Sequence, residues 1–149
     1  MRAAGLLALA VLAGACSGPV APAVLDPRHD ACAWCRMTVS DPRFAAQLAA
    51  PGEEPLFFDD IGCMVAYLRG ARDVPTGAAA FVADHRTRAW VPAARALFSR
   101  VPSLQTPMDS HLLAHTDAAS RDADPQAVGG EEMSVAAVFR PAPIPGGEP

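Results

Sequence analysis

Apolar residues in this chain fall into short runs broken by proline, glycine and acidic residues, and the runs differ in period. The longest, within "MRAAGLLALAVLAGA" at 1–15, follows a single early charge, Arg2. It is too short to span a bilayer and ends in small residues, as secretory signals do. Beyond a proline-rich stretch the pattern changes. Residues 35–39 alternate as a short strand would, "DPR" at 41–43 is turn chemistry, and "FAAQLAA" at 44–50 reads as a partner strand. "PGEEP" at 51–55 is a second turn, leading into "LFF". Next, "DDIGCMVAYLRG" predicts a helix: Asp59 or Asp60 caps it, Ile61, Met64, Val65 and Leu68 form an apolar stripe, and Gly70 ends it.

The order then recurs. Residues 78–84 are strand-like, 85–88 form a turn, 89–91 a second strand, and "PAARALFSR" predicts a helix with Pro92 at its first position. From 101 to 140 come a proline-bounded loop, "HLLAH", a short helix after Asp117, and a final strand "MSVAAVF". The expected fold is α+β: two tandem strand–strand–helix (ββα) units with small antiparallel sheets. The expected organisation is a signal peptide at 1–15, a tether at 16–28, one domain at 29–140 and a disordered tail at 141–149.

Composition narrows the compartment and the partners. The formal charge is −4 and no basic patch is visible, so nucleic acid is not an expected partner. Lysine and asparagine are absent while alanine and arginine abound, as a GC-rich bacterial genome would produce. Ala13-Gly14-Ala15 fits a signal-peptidase site, and "LAGAC" resembles a bacterial lipobox with Ala13 where leucine is preferred. Either cut leaves Cys16 at the new N-terminus, where a lipid would anchor the exported protein. Cys32, Cys35 and Cys63 remain, an odd number that cannot all pair within one chain. There is no serine nucleophile motif and no phosphate loop, and Asp59-Asp60 suit a helix cap better than catalysis, so an enzyme is not expected.

"CAWCRM" places two thiols and a thioether within six residues. If 35–37 is a strand, the sulfurs of Cys35 and Met37 project on one face as a soft donor pair. Such pairs favour Cu(I), whereas zinc seldom accepts methionine. By spacing alone Met37 also reads as a core residue beside Val39. "TPMDSHLLAH" puts Met108 on a loop with His111 and His115 nearby as further donors; each histidine alone reads as a surface residue. Met64 lies on the helical stripe and belongs to the core. Cys63 lies off it, near a helix N-terminus that would favour a thiolate, or is a small buried hydrophobe. Two other readings stay open: a thiol–disulfide oxidoreductase using Cys32 and Cys35, or a zinc module using Cys32, Cys35, Cys63 and a histidine. The first lacks a convincing helix after Cys35, and the second lacks a second Cys-x-x-Cys pair.

Taken together, "CAWCRM", "FFDDIGCMVAYL", "VADHRTRAWVPAARALF" and "TPMDSHLLAH", in that order, resemble the NosL family of periplasmic copper chaperones. The resemblance implies a lipoprotein anchored through Cys16 in the periplasm, at the outer membrane. It implies Cu(I) binding, and nitrous oxide reductase with its maturation machinery as partners during assembly of the catalytic copper cluster. It carries copper ligation to Cys35 and Met37, and to Met108 as a further ligand. It also implies a fold of two ββα units. Where this chain has Arg36 and Asp109, many members of the family have glycine.

Overall fold

The computed structural model describes residues 18–70, 74–140 and 145–146. The expected signal peptide and Cys16 lie outside these residues, as does most of the expected tail. Among the described residues, seven short strands form two antiparallel sheets, accompanied by three α-helices. The first sheet contains β1 (Ala46–Ala49), β2 (Leu56–Phe58), β3 (Ala79–Ala83) and β4 (Trp90–Pro92), in the order β2-β1-β3-β4. The second contains β5 (Leu97–Arg100), β6 (Leu112–His115) and β7 (Glu131–Met133), in the order β6-β5-β7. The helices are α1 (Ile61–Gly70), α2 (Ala118–Asp122) and α3 (Val135–Phe139).

The α+β class with small antiparallel sheets agrees with the sequence, and strand–strand–helix order occurs twice, as β1-β2-α1 and β5-β6-α2. The second unit, however, begins near Leu97, whereas the pattern had placed it at 78. The segment "PAARALFSR" is not a helix: Ala93–Arg95 makes a single 3-10 turn and Leu97–Arg100 is a central strand. Alanine-rich sequence favours helix, but long-range pairing overrides that preference here. Phe98 pairs with Ala114 on one side and Met133 on the other, and its ring packs edge-on against Phe139 at 5.8 Å. The expected final strand is divided. Met133 ends β7, and Ser134 then caps α3 by accepting the N–H of Ala137 at 3.1 Å. The short helix after Asp117 forms as expected, with Asp117 accepting the Ser120 N–H at 2.8 Å.

Burial explains how the first sheet is held. Every residue of β1 is buried, including Gln47 at 0% exposure. The Gln47 amide meets the backbone of Ala23 in both directions, accepting its N–H at 2.7 Å and donating to its carbonyl at 3.1 Å. This pairing satisfies a buried polar side chain and fastens residues ahead of the sheet to its central strand. On α1 the expected stripe is correct: Ile61, Met64, Val65 and Leu68 are all buried. Tyr67 adds a ring contact to Phe58 at 5.3 Å.

Candidate metal centre

Three elements of local structure bring three thiols and a carboxylate together. Residues 31–38 form a tight hairpin, with Ala31 bridged to Thr38 and Cys32 N donating to the Met37 carbonyl at 2.7 Å. The hairpin docks beside β2, where Cys32 bridges Phe57 and Ala33 N donates to the Phe57 carbonyl at 2.8 Å. Strand β2 then runs directly into Asp59 and Asp60, and α1 begins one residue later, carrying Cys63 in its first turn. Thus Cys32 and Cys35 approach from the hairpin, Asp59 from the end of β2, and Cys63 from the helix. Their donor atoms all lie within 4.8 Å of one another.

The thiols are free. Cys32, Cys63 and Asp59 are buried, while Cys35 is partly open to solvent. Cys35 Sγ sits 3.5 Å from each Asp59 carboxylate oxygen, and the Cys35 N–H points at Cys32 Sγ at 3.5 Å. Burial pushes the Cys35 thiol up from its ordinary value. Burial, reinforced by the Asp59 carboxylate, pushes the Cys63 thiol up much further. Both effects penalise a bare thiolate, so a metal ion entering here displaces protons and supplies the positive charge that the thiolates then lack. The expectation that a helix N-terminus would stabilise a Cys63 thiolate therefore does not hold, because desolvation is the larger effect. Its alternative, a small buried residue, describes Cys63 correctly, although Cys63 also faces the cluster.

The strand expected over 35–39 is absent. Residues 33–35 are a turn, and Arg36 has φ of +68°, which reverses the chain between Cys35 and Met37. The same-face argument for Cys35 and Met37 fails with it. The two residues remain close in the chain because the hairpin closes around them, with Met37 half exposed at 49%. Met108 is similarly exposed at 42%, on a loop tied to the start of α1. Asp60 makes that tie: its carboxylate accepts Gly62 N at 2.6 Å, the Thr106 hydroxyl at 2.6 Å and Met108 N at 3.1 Å. The loop approaches so closely that a Cβ at Gly62 would lie 2.7 Å from Ser110 Cβ. Both methionines therefore stand on loops fixed to residues flanking the thiol cluster.

The histidines divide. His111 is partly buried, has φ of +59°, and donates from Nδ1 to the Leu104 carbonyl at 2.7 Å, which leaves Nε2 as its donor to a metal. His115 is fully buried and belongs to a separate group with His85 and Asp124. The sequence reading missed Asp59 as a member of the thiol group. No helical spacing marks it, because Asp59 lies between β2 and α1 and meets the thiols only once the hairpin docks. Among the described residues, no helix is long and apolar enough to cross a membrane.

Soft sulfur donors with one carboxylate can hold a soft or borderline metal ion. The family model described as NosL matches residues 24–140, most of the chain, and so takes in every residue of this cluster. No curated protein and no solved structure matches the chain.

Proposed function

This chain belongs to the NosL family, and from that footing we propose that it is a Cu(I)-binding metallochaperone whose cargo is held at the Cys32, Cys35 and Cys63 cluster. The observation that carries the reading is the convergence of three free thiols and Asp59 at the start of α1, with Cys35 open to solvent. Thiolates are the donors Cu(I) prefers, and a partly exposed site lets an ion be handed on as well as bound. Met37 and Met108, half exposed on the adjoining loops, are the neutral thioether donors that complete the ligand set as the ion enters or leaves. The partner in this proposal is nitrous oxide reductase with its maturation machinery, which receives copper for the catalytic cluster. The protein works in the periplasm, held to the outer membrane by a lipid on Cys16. A thiol–disulfide oxidoreductase would place its cysteine pair at a helix start, whereas Cys35 lies in a hairpin turn.

Anaerobic titration of the reduced mature protein with Cu(I) and with zinc, with thiols counted before and after, tests the reading. One Cu(I) bound in preference to zinc, with loss of titratable thiol, is the expected result. Zinc retained stoichiometrically against Cu(I) would overturn it. Fractionation tests the anchor: wild type should partition with membranes, and Cys16→Ala expressed without residues 1–15 should not.

A further inference from the structure

A second group of ligating side chains lies apart from the thiols, where the two sheets meet. His85 follows β3, His115 ends β6, and Asp124 precedes a 3-10 turn at Pro125–Ala127. All three are at least nine-tenths buried, at 3%, 0% and 4% exposure. One oxygen of Asp124 contacts both rings: Oδ2 lies 2.5 Å from His85 Nδ1 and 2.9 Å from His115 Nε2. The frame around them is fixed. His85 N donates to the Ala114 carbonyl at 2.9 Å, joining the end of β3 to β6, and Gln126 N donates to Asp124 Oδ1 at 2.9 Å. Phe44 covers His85 at 5.0 Å between ring centroids.

This arrangement leaves two ring nitrogens unmet. The outer ring nitrogens, His85 Nε2 and His115 Nδ1, are buried and have no hydrogen-bond partner among the described residues. An unpartnered buried polar atom costs about 1–3 kcal/mol, and both rings bear that cost in turning their inner nitrogens toward Asp124. The nearby Arg43 guanidinium is engaged elsewhere, with Asp41 at 2.7 Å and Gln126 Oε1 at 3.1 Å.

We propose that His85, His115 and Asp124 form a second metal site, separate from the thiol cluster, that takes one divalent ion of the zinc class. Two imidazoles and a carboxylate are donors that zinc accepts and that Cu(I) does not favour. The three residues' donor atoms lie within 4.8 Å of one another, and His85 Nδ1 and His115 Nε2 both face Asp124 Oδ2. An ion there takes the place of the protons shared with Oδ2, at bond lengths of about 2.0–2.2 Å, after a small outward movement of the rings. Because the site is enclosed between β3 and β6, the ion enters during folding and locks the two sheets together. It is a structural site and is not in transit.

The test uses the mature chain carrying Cys35→Ala and Cys63→Ala, which disables the thiol cluster and leaves the histidines intact. Refolded with cobalt, it should bind one equivalent, giving d–d absorption without a thiolate charge-transfer band. Refolded with zinc, it should melt at a higher temperature than the metal-free protein. Adding His115→Gln should abolish both effects, with circular dichroism confirming the fold. Failure of the thiol-disabled protein to take up cobalt or zinc would overturn the site, as would equal uptake after His115→Gln. Should His115→Gln not fold, nitrogen NMR of the thiol-disabled protein decides. Zinc-dependent shifts of the His85 and His115 ring nitrogens support the site, and an imidazolium unchanged by zinc refutes it. Copper binding by the wild type is read separately, so either site can fail alone.

Discussion

Asp60 Oδ2 accepts the backbone N–H of Met108 at 3.1 Å, joining two residues 48 positions apart. The same carboxylate caps α1 through Gly62 N and binds the Thr106 hydroxyl. One buried acid therefore fixes both the helix carrying Cys63 and the loop carrying Met108. Asp60→Ala should cost about 3 kcal/mol, because it leaves a helix donor, a hydroxyl and a loop N–H without their acceptor. Urea denaturation measures this, and a loss well under about 1 kcal/mol would show that the loop is held by other contacts.

Gly62→Ala separates propensity from packing. Helix propensity alone predicts a gain of roughly 1 kcal/mol. The 2.7 Å approach to Ser110 Cβ predicts the reverse, a loss of about 1–3 kcal/mol as the Met108 loop is pushed away. Thermal melting decides the sign. A more stable Gly62→Ala protein would mean the loop yields easily.

Arg36 and Asp109 both have positive φ, +68° and +53°. The two positions where the family resemblance implies glycine are thus backbone reversals beside Met37 and Met108. The reason is steric, since side chains other than glycine are strained there by about 1–2 kcal/mol. Glycine's greater freedom when unfolded offsets part of this gain. Arg36→Gly should therefore stabilise the protein by about 0.5–1 kcal/mol, read as a raised midpoint in denaturant. Arg36→Ala, which removes the charge but keeps the strain, should leave the midpoint unchanged.

Acid should weaken the fold through Asp84. Its buried carboxylate accepts the N–H groups of Arg86, Thr87 and Thr116 and the hydroxyl of Ser120. Burial alone would raise its carboxyl, but these bonds more than offset that and hold it well below the ordinary range. A depressed carboxyl stabilises the fold above the unfolded value of about 3.9, and that stability is lost as pH falls below it. Asp84→Asn should cost about 2–3 kcal/mol at neutral pH and flatten the acid limb of a stability–pH profile. An unchanged acid limb would assign the effect to other groups, Asp124 among them.

The copper ligands should rank by charge. Cys35→Ala removes a thiolate and should abolish tight Cu(I) binding, and Cys63→Ala and Cys32→Ala should each weaken it severely. Met37→Leu and Met108→Leu remove neutral donors of similar volume, so affinity should fall by a smaller factor while the fold is kept. Competition against a Cu(I) chelator reads all five. Normal binding by Cys63→Ala would remove that residue from the ligand set.

The sequence by itself determined the elements whose signals are local. Helix α1 follows from the stripe of Ile61, Met64, Val65 and Leu68 after an acidic cap, and α2 from Asp117 as its cap. The soft-donor inventory, and the family resemblance it carried, were equally visible in "CAWCRM" and "FFDDIGCM". Tertiary structure decided what depends on distant partners. Residues 97–100 have a helix-forming composition but become the middle strand of a sheet, because Phe98 gains Ala114, Met133 and Phe139 as neighbours. The positive φ of Arg36, which replaces a strand by a hairpin, has no local signal in an arginine. The grouping of Cys32, Cys35, Asp59 and Cys63 likewise needed the docking of that hairpin on β2. His85, His115 and Asp124 lie in three unrelated segments and meet only because the ends of β3 and β6 are joined across the sheets. Periodicity records which face of an element is buried, but not which other element will cover it.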